Sequence, residues 1–197
     1  MLARYSLPYF HMKECAYATG VFEHLGHEDS DRAAREAIDL IKRHASLGIG
    51  FTLDKSVASK LLHGSPWKNV YSLIVGQVFF AVRDWVKADE TKSPVACLFE
   101  NGDNGRGQAV EAAQKILEET SFKQDCRISS FTWADKNEET PLQAADMLAW
   151  HFNLWRSRRR DGVIQKRGDF KSLLDFPIVY HHWDQSAVDR LVSIRQS

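Results

Sequence analysis

"PVACLFENGDNGRG", residues 94–107, decides the fold class. Its first half, 94–100, is a compact apolar run with the length of a buried strand. Its second half is a Gly- and Asn-rich loop that opens a helix over 108–121. "CRISSFTW" (126–133) is the next strand, with partial alternation. Upstream, "NVYSLIVGQVFFAVRDWVKAD" (69–89) is a long helix, apolar on most sides and therefore expected at the centre. "GIGFTL" (48–53) is a short strand, 54–63 a short helix, and "GSPW" (64–67) a turn. A further helix starts at residue 140. From residue 48 the order is thus strand, helix, helix, strand, helix, strand, helix. Strands that alternate with helices predict an α/β layer architecture.

Before residue 48 the pattern supplies a helix but little sheet. Residues 29–47 place Ala33, Ala37, Leu40, Ile41 and Ala45 on one face, with Asp and Ser at the start and Gly48 after the end. Beyond the helix at 140, residues 156–167 are polar and basic and leave the core. "FPIVYHHW" (176–183) is a strand or an extended tail, and 184–195 a closing amphipathic helix. No internal repeat interrupts the 197 residues, a length that favours one domain.

Apolar residues make up 44% of the chain, enough for a packed core. Lys and Arg number 26, as do Asp and Glu, so no net field draws the chain to nucleic acid or a membrane. The three cysteines, Cys15, Cys97 and Cys126, form no C-x-x-C pair and no disulfide framework. Cys97 and Cys126 lie in apolar runs and read as small buried hydrophobes. This usage suits a reducing, cytoplasmic compartment. The N-terminus has no signal-peptide hydrophobic region, and no stretch reaches the roughly 18 apolar residues of a membrane span.

Chemistry concentrates in a few places. "TPLQAADMLAWHF" (140–152) starts with Thr140 as N-cap, Pro141 at the first helical position and Gln143 completing a T-x-x-Q capping box. At about 100° per residue, Ala145, Leu148, Phe152 and Trp155 share the apolar centre, and Asp146 falls on its border. Such an aspartate either reaches into a cleft or caps a neighbouring loop or pairs with an arginine. Glu100 ends the strand at 94–100, where carboxylates of α/β folds commonly face a ligand crevice. Asp103 follows in the loop and also fits ordinary turn chemistry. Glu100 and Asp146 together suggest a Mg²⁺ or Mn²⁺ site, with Asp103 as a third ligand or a group supporting the ligands. Such ions take oxygen donors and keep waters for substrate phosphates. A pair of them promotes phosphodiester cleavage.

His11, between Phe10 and Met12, is a site-facing candidate. His11, Glu14 and His24 or His27 form a weaker zinc alternative, because no H-E-x-x-H or C-x-x-C spacing occurs. His181 and His182 point to opposite sides of a strand and read as structural. Arg156, Arg158, Arg159, Arg160, Lys166 and Arg167 form a solvated surface or, alternatively, a phosphate-contacting patch for nucleic acid. His11 four residues before Cys15 is a faint signal for a cysteine hydrolase. No Walker loop, G-x-S-x-G or Rossmann fingerprint is present.

"FHMKEC", "VACLFENGDNGRG" and "TPLQAADMLAWHF" resemble blocks of the bacterial and phage family called domain of unknown function 3800, over roughly residues 8–155. The "PLQAADMLAW" block is the most specific. The resemblance implies a ribonuclease H-like mixed sheet flanked by helices, with acidic residues at one sheet edge. It implies one such domain over 1–197, with the basic segment 156–167 and a C-terminal extension over 168–197. Glu100 then matches the carboxylate at the end of the central strand, and Asp146 that of the "PLQxAD" helix. His11 matches a histidine of unestablished role. Members usually open with a strand bearing an Asp-Glu-Ser-like stretch. This chain opens at "MLARYSLPYF", so that first acidic strand is expected to be missing.

Two functions follow as expectations. One is a metal-dependent nuclease or phosphodiesterase, with Glu100, Asp146 and His11 as catalytic residues and Glu100, Asp146 and Asp103 on Mg or Mn. The other is a non-catalytic binding or interaction protein on the same fold, with a degenerate acidic site.

Overall fold

The structure, a computed structural model, describes residues 1–63, 69–88, 92–102 and 106–189. Within them the alternation of strands and helices is seen. The helices are α1 (Met12–Tyr17), α2 (Gly26–His44), α3 (Ala58–Leu62), α4 (Val70–Ala88), α5 (Arg106–Glu118), α6 (Thr120–Asp125), α7 (Thr140–Arg160) and α8 (Gly168–Leu173). The strands are β1 (Gly48–Leu53), β2 (Val95–Glu100), β3 (Ile128–Ala134) and β4 (Ile178–Trp183). The turn at 64–67 lies outside the described residues. Helices dominate the α/β architecture of the described residues. The described strands pair as β1 with β4 and β2 with β3, each pair parallel. Parallel neighbours need a crossover, and α5 and α6 supply it between β2 and β3.

Contacts divide the chain into two compact units: 1–50 with 134–179, and 51–133 with 180–197. The first unit packs α1, α2, α7 and α8 around Phe10, Met12, Phe22, Ile38, Met147 and Leu173. Phe10 and Phe22 meet edge to face at 5.4 Å. Helix α2 forms where Glu28 and Asp29 occupy the first turn and Lys42, Arg43 and His44 the last, matching the helix dipole at both ends. Its buried face is Ala33, Ala34, Ala37 and Ile38. Small residues there let neighbouring elements approach closely.

In the second unit, α4 sets Val75 and Phe79 against Cys126 and Ile128. Phe99 of β2 stacks on Phe131 and Trp133 of β3 at 5.9 and 5.6 Å. Helix α4 is less enclosed than its apolar sequence predicts: Tyr71, Phe80 and Trp85 stay exposed. On β4, His181 stacks against Phe51, whereas His182 Nδ1 lies 2.9 Å from Thr52 Oγ1. The two histidines thus diverge, as a strand requires. Among the described residues no helix is long and apolar enough to cross a membrane.

Helix α7 departs from its predicted start and face. Its N-cap is Glu139, and no side chain caps it. Gln143 makes no capping box, because its amide is used elsewhere. Ala145 and Ala149 are exposed, while Leu142, Gln143, Met147, His151 and Phe152 are buried. Two polar side chains therefore share the inward stripe with Phe152, while Ala145, expected at its centre, is exposed. The helix also runs to Arg160, so the arginines at 156–160 form its last turns rather than a departing loop.

Candidate functional site

His11 is the N-cap of α1, with extended backbone (φ −131°, ψ 114°). One turn on, Glu14 faces it, and Glu14 Oε1 lies 3.0 Å from His11 Nδ1. Glu14 Oε2 accepts the Val21 N–H at 3.2 Å. Tyr9 also donates to the Glu14 carboxylate, and its own hydroxyl is pushed up by burial and then by that charge. Burial works against an ionised Glu14, but the hydrogen bonds from His11, Val21 and Tyr9 prevail and hold its carboxyl below the usual range. Gly20, at φ +56°, makes room for the carboxylate: a Cβ there would sit 2.7 Å from Glu14 Cδ.

Asp146 reaches the same place from α7. Its Oδ2 accepts the Met12 N–H at 3.4 Å and lies 3.8 Å from His11 Nε2. Its Oδ1 lies 3.4 Å from Lys136 Nζ. Gln143, one turn earlier, accepts the Phe10 N–H at 2.9 Å and donates to the Lys136 carbonyl at 2.9 Å. Two side chains of α7 thus hold the backbone entering α1 and the loop carrying Lys136. Side chains of His11, Glu14, Asp146 and Lys136 are about one-fifth exposed, at 23%, 23%, 19% and 22%. They are shielded enough to strengthen their electrostatics yet remain reachable.

One consequence is chemical. When Nδ1–H donates to Glu14, the lone pair of Nε2 faces a carboxylate oxygen 3.8 Å away. Two acceptors face each other, and a proton, a water hydrogen or a cation between them relieves the repulsion.

The other expected residues are distributed as follows. Glu100 belongs to the second unit, where it ends β2 and is exposed. It is one cause, after burial, of the raised hydroxyl of Tyr71. Asp103 lies outside the described residues. His24 has Nε2 3.1 Å from the Tyr5 carbonyl. Cys15 is buried, its thiol donates to the Ser30 carbonyl at 3.2 Å, and burial pushes it up to about 12. It is therefore a poor nucleophile beside His11. Among the described residues no three His, Cys, Asp or Glu side chains form a group able to hold a metal ion by themselves. Arg158, Arg159 and Arg160 complement the C-terminal dipole of α7, and Arg159 sits over Trp155 at 5.5 Å.

Sequence reading found His11 and Asp146 but linked Glu14 only to zinc. The three-residue step from His11 to Glu14 across a helix start is the signal for the pair. Lys136, in the loop after β3, carried no such signal. No protein-family model matches the chain, and comparison with characterised proteins and with solved structures finds no similar one.

Proposed function

We propose that the chain is a metal-dependent phosphodiester hydrolase, a nuclease of ribonuclease H-like type related to domain of unknown function 3800, working through His11, Glu14 and Asp146. The observation that carries this reading is the facing of His11 Nε2 and Asp146 Oδ2 at 3.8 Å, with Glu14 fixing the other ring nitrogen. A carboxylate that orients a histidine through its second nitrogen is the usual support for a histidine acting as ligand or base. The donor set fits Mg²⁺ or Mn²⁺ in their water-rich mode, in which one or two carboxylates suffice and substrate phosphate completes the shell. Asp146 would hold the ion, which would supply charge for the phosphate and acidify a water. His11 Nε2 is the proton acceptor, Glu14 keeps its ring in place, and the Lys136 ammonium faces an incoming anion. The reading uses the first unit alone.

The test is Mn²⁺-dependent cleavage of single- and double-stranded DNA and RNA by the wild type, with Asp146→Ala and His11→Ala at least about 100-fold slower. No cleavage by the wild type on any substrate would sink it. The Lys136 and Met12 contacts to Asp146 favour a second reading, a non-catalytic clasp on a binding protein. Calorimetry with Mn²⁺ separates the two: binding lost in Asp146→Asn defeats the clasp-only reading.

A further inference from the structure

The first unit has a small cavity between the last turns of α7 and the segment leading into α8, lined by His151, Trp155, Arg158, Gln165, Lys166 and Arg167 among others. His151 is its buried polar member, 1% exposed, with its ring stacked on Phe170 at 5.4 Å and 7°. Neither of its ring nitrogens has a hydrogen-bond partner among the described residues. A neutral imidazole carries one donor and one acceptor, and leaving both unmet in a packed interior is costly.

The rest of the polar lining is three cations and an amide, with no carboxylate among them. Asp169 approaches Arg167 instead, accepting from Nη2 at 2.9 Å and from Nε at 3.1 Å. Lys166 lies over the Trp155 ring at 5.1 Å. Arg158 and Lys166 add to the paired Arg167 to leave the lining a surplus of positive charge, which favours an anion. The cavity, open at its mouth, has about 10 Å³ of free space, room for one water-sized atom. A whole organic ligand does not fit, but a single oxygen does.

We propose that this cavity seats a phosphate group: one phosphoryl oxygen enters and accepts a hydrogen bond from the His151 ring, while Arg158, Lys166 and Gln165 hold the remaining oxygens at the mouth. The ligand class is a phosphate, supplied either by a nucleic-acid phosphodiester or as a free phosphate ion. None of these residues belongs to the His11–Glu14–Asp146 centre, so the seat stands or falls separately from hydrolysis.

The experiment is NMR of the full chain with ¹⁵N-labelled histidine, without divalent cation. Inorganic phosphate and a short single-stranded DNA oligonucleotide are titrated separately at constant ionic strength. A saturable shift of the His151 ring signals is expected, with affinity about ten-fold or more weaker in the Arg158→Gln/Lys166→Gln double variant. Tighter binding of the oligonucleotide identifies a nucleic-acid source, and tighter binding of phosphate a free ion. In His151→Phe, checked for folding by circular dichroism and read by tryptophan fluorescence, binding is lost. If that variant misfolds, the double variant carries the test. No saturable shift at millimolar ligand, or a shift unchanged in the double variant, overturns the proposal and leaves the cavity to a water molecule.

Discussion

Asp146 carries its charge on a half-buried helix face because Lys136 and the Met12 N–H offset the cost. Its border position was readable from helical spacing, but its partners were not, since they come from segments up to 134 residues away. Gly20 is equally specific. Its φ of +56° and its closeness to the Glu14 carboxylate leave no room for a side chain. Gly20→Ala should cost at least about 1 kcal/mol in urea unfolding and weaken any Mn²⁺-dependent activity by loosening His11. Cysteine chemistry should be quiet in the folded state. Burial pushes the thiols of Cys15, Cys97 and Cys126 up to about 12, 11 and 11. Maleimide at neutral pH should therefore label the native chain slowly and label it fully only in denaturant.

Helix α7 is the element on which the first unit turns. Its buried stripe contains Gln143 and His151 beside Leu142, Met147 and Phe152. Apolar periodicity found the helix and placed Phe152 on its inward face, but it also set the exposed Ala145 there, because two polar residues are buried for tertiary reasons. Gln143→Leu tests this. The change adds apolarity, yet it strands the Phe10 N–H and the Lys136 carbonyl, so a loss of about 1–3 kcal/mol in chemical denaturation is expected. On β1, a Cβ at Gly50 would lie 2.6 Å from Phe152 Cε2. Gly50→Ala should therefore overpack the first unit and cost about 1–3 kcal/mol, seen as a lower Tm. Strand β1 itself was legible from its apolar run, but the reason for its glycines was not.

For the whole molecule, the sharpest expectation concerns acid. Burial holds His151 neutral down to about 4 against its ordinary 6.5, with Asp169 raising it and Arg167 lowering it. Between those values the unfolded chain binds a proton that the folded chain refuses. Stability should then be fully present above about pH 6.5 and fall toward pH 4, by roughly 3 kcal/mol in all. Glu14 and Asp169, both held below the usual carboxylate range, add losses at still lower pH. His151→Phe should flatten the 6.5-to-4 part of the curve in denaturant titrations at stepped pH and leave the lower part. From the sequence alone came the α/β class, the strands at 48–53 and 94–100, and the long helices, because hydrophobic period is a local property of the chain. His11 and Asp146 were also legible, as a histidine and a carboxylate set against apolar neighbours. Only the tertiary structure joined them to Glu14 and Lys136, divided the chain into two compact units and buried Gln143 and His151. Those outcomes depend on contacts between segments far apart in sequence, and no local pattern encodes which distant backbone group a buried polar side chain will meet.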